Sequence, residues 1–326
     1  MPLTAPLARL RRQLFLAIAL GTAASAVWAQ EYPLKPVRFV VPFSAGSATD
    51  NVGRIVAQAM AEAWGQPITV ENKAGANGIL GAEAVKAAPA DGYTFLVTTS
   101  TTQAANVHLY RKLSYDPIKD FTPIGKIGET GFILMVSADF PAKDMKEFVA
   151  YAKAHPGQLA YGHGSSGSLV SAAMLTELAG LQTVGVPYKS IPPALTDLLG
   201  GQIQFAFADV GNAVSQMNGG RLRGLGVTTR KRAGKAPGVP PISDTVKDYN
   251  VNAWFGLMAP AQLPADIQRK ASATLLAVLA KPEVREKIQG AGIDLDVEDS
   301  ATLAKTIEAE VKKWGVWVKT AGIVPE

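Results

Sequence analysis

Val37-Arg38-Phe39-Val40-Val41-Pro42-Phe43-Ser44-Ala45-Gly46-Ser47-Ala48-Thr49-Asp50 runs from an apolar strand through a loop of small residues into a helix. The unbroken apolar run at its start predicts a buried strand. Val52, Ile55, Val56, Ala59, Met60 and Ala63 then recur at three- and four-residue spacing, which predicts a helix. Ser47 or Thr49 is its natural cap, Asp50 falls in its first turn, and Gly65 ends it. The same grammar returns downstream. Gln158-Leu159-Ala160-Tyr161 precedes Gly162-His163-Gly164-Ser165-Ser166-Gly167-Ser168, and another helical pattern follows. A small-residue loop entering a helix offers free backbone N–H groups and the positive end of the helix dipole. Such a loop binds an anion without any basic side chain. Two of them, far apart in the chain, predict a ligand held at both ends.

Working outward, short apolar strands alternate with amphipathic helices, the pattern of an α/β fold. A strand is predicted over 68–70, a turn over 72–78, a helix over 81–88 and a strand over 94–97. The hydroxyl run 98–102 ends that strand, where open α/β sheets gather ligands, with Thr101 the candidate contact. A second half-pattern opens at 132–136 and contains strands near 184–188, 203–208 and 222–227. Asp209 follows one of these strands, where it either caps the next helix or accepts from a ligand amine or hydroxyl. After Trp254-Phe255-Gly256-Leu257, two or three helices finish the chain without strands of their own. The economical arrangement returns them to the first half. That gives one lobe from 30–130 plus 254–326 and a second from 131–253. Each is a mixed sheet flanked by helices, with the ligand cleft between the lobes.

Composition removes several function classes. Arg9, Arg11 and Arg12 precede an apolar stretch over 14–27 that is too short to span a bilayer, and Val27-Trp28-Ala29 fits a small-residue cleavage site. Residues 1–29 therefore read as a cleavable export signal, and the protein as periplasmic. Three of the five net positive charges leave with that leader. No basic patch remains to argue for nucleic acid. No later run reaches the roughly 18 apolar residues of a membrane span, so the exported chain reads as soluble. The absence of cysteine excludes disulfides, thiolate metal sites, a cysteine nucleophile and a lipoprotein anchor.

Three catalytic readings fail on spacing. Gly162-His163-Gly164-Ser165-Ser166-Gly167 matches G-x-G-x-x-G, but the acidic residue due about 20 positions later is missing. The serines fall outside the G-x-S-x-G elbow of serine hydrolases. The three histidines, at 108, 155 and 163, make no metal-ligand spacing. No enzyme activity, metal or cofactor is expected.

The order of short motifs resembles the Bug family, periplasmic receptors of tripartite tricarboxylate transport systems. The resemblance spans essentially the whole exported chain. It rests on Tyr32-Pro33 with Lys35-Pro36-Val37, then Pro42-Phe43, then Glu71-Asn72-Lys73-Ala74-Gly75-Ala76-Asn77-Gly78. Asp91-Gly92-Tyr93-Thr94, Leu113-Ser114-Tyr115-Asp116-Pro117 and Asp120-Phe121 follow. Val186-Pro187-Tyr188-Lys189, Asp197-Leu198-Leu199-Gly200-Gly201-Gln202 and Gly220-Arg221-Leu222-Arg223 complete the series. The resemblance implies a two-lobed periplasmic binding protein fold of type II that closes on a small carboxylate. It carries ligand contacts onto Phe43, Ser44, Gly46 and Ser47 in the first loop, and Ser165, Gly167 and Ser168 in the second. It implies a monomer that delivers its ligand to transporter membrane subunits; a sensor kinase as the recipient is the alternative. Three positions depart from the family pattern: Gly46-Ser47 replaces adjacent glycines, Ser171-Ala172 replaces a His-Leu pair, and Ser190 replaces a glycine.

Overall fold

The computed structural model of the chain describes residues 32–326, and the leader predicted over 1–29 lies outside them. Tyr32 to Leu34 group with the N-terminal unit, whereas Lys35–Glu326 forms one compact body. The body opens with β1 (Val37–Val41), α1 (Ala48–Trp64), β2 (Ile68–Asn72), α2 (Ile79–Lys86) and β3 (Thr94–Thr99). Parallel pairing places β1 between β2 and β3. Helix α1 starts where its sequence predicts: the Ser47 hydroxyl accepts the Asp50 N–H at 3.2 Å. It ends at Gly65, whose φ of 64° is the left-handed conformation that glycine adopts without steric penalty. One π turn (Thr101–Ala105) and a short α3 (Asn106–Leu109) lead on to β4 (Phe121–Thr130).

The chain then builds a second sheet from β5 (Phe132–Ser137), α4 (Met145–Ala154), β6 (Leu159–His163), α5 (Ser166–Ala179) and β7 (Thr183–Pro187). It continues through α6 (Ile191–Leu199), β8 (Phe205–Asp209), α7 (Val210–Asn218) and β9 (Leu222–Val227). The return segment is β10 (Ala253–Pro260), α8 (Ala265–Ala280), α9 (Pro282–Gly290), β11 (Asp294–Asp299) and α10 (Ser300–Thr320). Two mixed sheets result, ordered β11-β4-β10-β3-β1-β2 and β7-β6-β8-β5-β9.

Two strands run against the sequence expectation. β4 is punctuated by Pro123, Gly125 and Gly128, which hide its apolar period. Those glycines are spatial necessities. A Cβ at Gly125 would come within 2.9 Å of the Glu298 carbonyl and the Leu275 side chain, and one at Gly128 would overlap the Asp294 carbonyl. The intruding backbone is β11, so the closing segment does carry a strand, and it pairs antiparallel with β4. The acid-rich sequence of β11 obscures it. Two of its acids have a partner in Lys126 of β4, buried at 2% exposure, whose Nζ donates to Asp296 at 2.5 Å, Glu298 at 3.3 Å and its own strand's Glu129 at 2.7 Å. Burial would lower the Lys126 pKa, but these carboxylates hold it above the ordinary range.

The C-terminal helix packs with the cores of both sheets. Near its start, Leu303 and Ile307 pack with Val40, Leu96 and Trp254 around the first sheet. Near its end, Trp314 and Val318 join Leu134, Phe148 and Tyr249 around the second. Among the described residues no helix is long and apolar enough to cross a membrane.

Candidate functional site

The first loop is organised from beneath by Asp50, which is 2% exposed. Its carboxylate accepts from the Gly46 N–H at 3.0 Å, the Asn72 amide at 2.8 Å and Arg54 Nε at 3.0 Å. Asn72 also donates to the Phe43 carbonyl at 3.0 Å, tying the loop to the end of β2. Burial pushes the Asp50 pKa up, but Arg54, the Gly46 N–H and Asn72 outweigh it and hold the carboxyl below its ordinary value. Gly46 stands at φ +79°, in the left-handed region, and this turns the chain toward the start of α1.

The second loop is self-contained. Ser165 caps α5 by accepting the Ser168 N–H at 3.2 Å. The Ser168 hydroxyl in turn accepts the N–H groups of Gly164 and Ser165, both at 3.1 Å. This reciprocal capping box satisfies donors that a ligand would otherwise use. Ser166 instead meets the other lobe: the Asn77 amide donates to its hydroxyl at 2.7 Å and to the Asn106 side-chain oxygen at 2.9 Å. Gly167 exists because of packing, since a Cβ there would overlap the Phe132 ring.

Between the lobes lies a narrow cleft. The first lobe contributes Phe43, Ser47, Ala48, Thr49, Thr99 and Thr101, and the second contributes Phe132, Gly164, Ser165, Ser190, Ile191 and Asp209. Ala253 and Phe255 complete the wall. Of the residues named in advance, Phe43, Ser47, Thr101, Ser165 and Asp209 are brought together here. Ser44, Gly46, Gly167 and Ser168 stand outside this lining. The Gly46 N–H is spent on Asp50, the Ser168 hydroxyl on the capping box, and the Gly167 position on Phe132. Thr49, Phe132 and Phe255 were not named from the sequence, whereas Thr99, within the run 98–102, and Ser190 and Ile191, at a departure from the family pattern, were placed near the cleft without being named as contacts. A readable signal existed for two of them: Ser190-Ile191-Pro192-Pro193 follows a strand and has the form of a helix start.

The hydroxyl run 98–102 is buried, not solvated. It divides its labour. Thr98 and Thr102 bond each other at 2.8 Å, while Thr99 and Thr101 line the cleft. Among the described residues lining the cleft there is no Lys, Arg or His, and Asp209 is the one ionisable acid or base. Asp209 occupies the cap position of α7, yet its side chain makes no capping bond. Burial outweighs the nearby Asn212 amide and pushes its carboxyl up to about 6. His163 lies off this lining, and burial lowers its imidazole to about 4. Among the described residues no cluster of His, Asp and Glu is placed to hold a metal ion.

The two-sheet fold that frames this cleft has close structural counterparts. The structure of R. palustris Rpa4515 with adipate superposes with a TM-score of 0.88 at 31% identity, covering 91% of this chain and 100% of that one. The periplasmic binding protein BugD gives 0.86 at 31% identity, covering 90% and 100%. MatC (Rpa3494) from Rhodopseudomonas palustris with bound malate gives 0.82 at 33% identity, covering 88% and 100%. The fold is thus the two-lobed fold of periplasmic binding proteins. The family model described as tripartite tricarboxylate transporter family receptor matches residues 52–323, most of the chain. By its sequence and its fold alike, this chain belongs to the tripartite tricarboxylate transporter receptor family.

Proposed function

We propose that this protein is a periplasmic receptor that captures a small organic acid, a di- or tricarboxylate or a relative of one. The lobes close on the ligand, and the closed form delivers it to the membrane subunits of a tripartite tricarboxylate-type transporter. The carrying observation is a cleft of hydroxyls and helix starts without a cation. Such a site takes a carboxylate by hydrogen bonding to fixed dipoles. Two relatives hold adipate and malate, both short dicarboxylates.

Hydrogen bonds to a charged group contribute roughly 1.5–3 kcal/mol each. Four of them at the upper end of that range, about 12 kcal/mol, leave the roughly 8 kcal/mol of micromolar affinity after an ordering cost of about 4 kcal/mol. The protein binds without turnover, as a monomer whose own two lobes supply both cleft walls. Lobe boundaries near 130/131 and 253/254 make Gly131 and the 252–253 crossing the pivots. Asp209 favours a ligand with a hydroxyl or amine facing it. Small-angle scattering with saturating adipate or malate should show a smaller radius of gyration than the free protein. An unchanged radius at confirmed saturation would remove closure from the account.

A further inference from the structure

We propose that the second pole of the ligand site is the start of α6, where the Ser190 hydroxyl and the Ile191 N–H hold the far carboxylate of the ligand. This rests on the carboxylate-capture reading above. It moves that pole away from the glycine- and serine-rich loop at the start of α5.

The two helix starts differ in what they leave free. At α5 the hydroxyls of Ser165 and Ser168 are spent on the N–H groups of Gly164, Ser165 and Ser168, and the Ser166 hydroxyl is engaged by Asn77, so no side-chain hydroxyl is left over. At α6 the cap residue is Ser190, in extended backbone, and the next positions are Ile191, Pro192 and Pro193. A cap hydroxyl normally accepts the N–H of the second or third helical residue. Both of those are prolines here and have no N–H to give. The Ser190 hydroxyl is consequently buried without a hydrogen-bond partner, in a residue only 1% exposed that lines the cleft. Buried polar groups are costly to leave unpaired, so this one calls for a partner that arrives with the ligand. Ile191, also on the cleft wall, carries a first-turn N–H that no carbonyl within the helix serves.

Ser190 is held in place by its neighbour. A Cβ on Gly164 would overlap the Ser190 backbone, so the α5 loop lies flat against it and cannot yield to a larger residue. The chemistry offered is two donors at the positive end of a helix. That fits a carboxylate oxygen and rejects an ammonium group. Ser47 and the start of α1 face the same cleft from the other lobe, so the ligand is read as acidic at both ends.

The test compares wild type with Ser190→Ala, by thermal melting without ligand and by calorimetric titration with adipate, malate and citrate. Affinity for a carboxylate that binds wild type should fall roughly 10- to 100-fold, the range for losing one hydrogen bond to a charged group. The melting temperature of the free variant should be unchanged or higher, because the hydroxyl it loses had no partner. Equal affinity in the two proteins would overturn the assignment. So would a free variant that melts several degrees lower, since the hydroxyl would then be a structural cap. If wild type takes up none of the three acids, the carboxylate reading fails, and melting alone then decides whether Ser190 is a cap.

Discussion

Trp314→Ala should lower the unfolding free energy by about 3–5 kcal/mol, the range for emptying a fully buried aromatic site. Trp314 has no exposed surface. Its ring meets Trp317 edge to face at 5.1 Å, and its Nε1 donates to Glu310 at 3.2 Å. It sits in the stretch of α10 that packs with the second-lobe core, while Leu303 and Ile307 of the same helix pack with the first. The cavity would therefore loosen the brace shared by the lobes, and a single denaturant transition should move as a whole. A loss below about 1 kcal/mol in chemical denaturation would mean the site collapses and refills, against the usual partial relaxation of such cavities.

Asp50→Ala should cost about 2–3 kcal/mol, because it strips the acceptor from several groups at once. The Asn72 amide and the Gly46 N–H lose their shared carboxylate, whereas Arg54 is half exposed and regains water. Ser47 and Thr49 sit on the same loop and helix start, so ligand affinity should fall with stability. The effect carries a pH signature. The Asp50 pKa is lowered from 3.8 in the folded protein, so its stabilisation is fully present above pH 3.8 and is lost as pH falls through the lower folded value. The gap between wild type and Asp50→Ala should accordingly narrow only in strong acid. A gap that closes already near neutral pH would show that Asp50 is not the anchor.

Much of this architecture is legible in the chain because its strands are short apolar runs and its helices have orthodox starts. Val37–Val41, the Ser47 cap and the Gly65 stop all follow from local chemistry. β4 and β11 were hidden for one shared reason. Their glycines and acids answer to each other across the sheet, through the Gly128 approach and the Lys126 cluster, and neither has a local period. The site was legible as a class and less so in its members. Loop composition marks Ser47 and Ser165 as cleft residues, but composition cannot tell a hydroxyl that faces a ligand from one spent inside a capping box. Ser168 and Ser190 are both serines at helix starts, but Ser168 is spent in a capping box, whereas the prolines after Ser190 remove the N–H groups that its hydroxyl would cap.

The central claim is that carboxylate charge is captured by hydroxyls and helix starts without a cation. Calorimetric titration of the protein with adipate and with its uncharged diamide tests this most directly, because the two share length and flexibility. The account predicts saturable heat with adipate, or with malate in a parallel titration, and none with the diamide at the same concentrations. A diamide that binds as tightly as the diacid would contradict it.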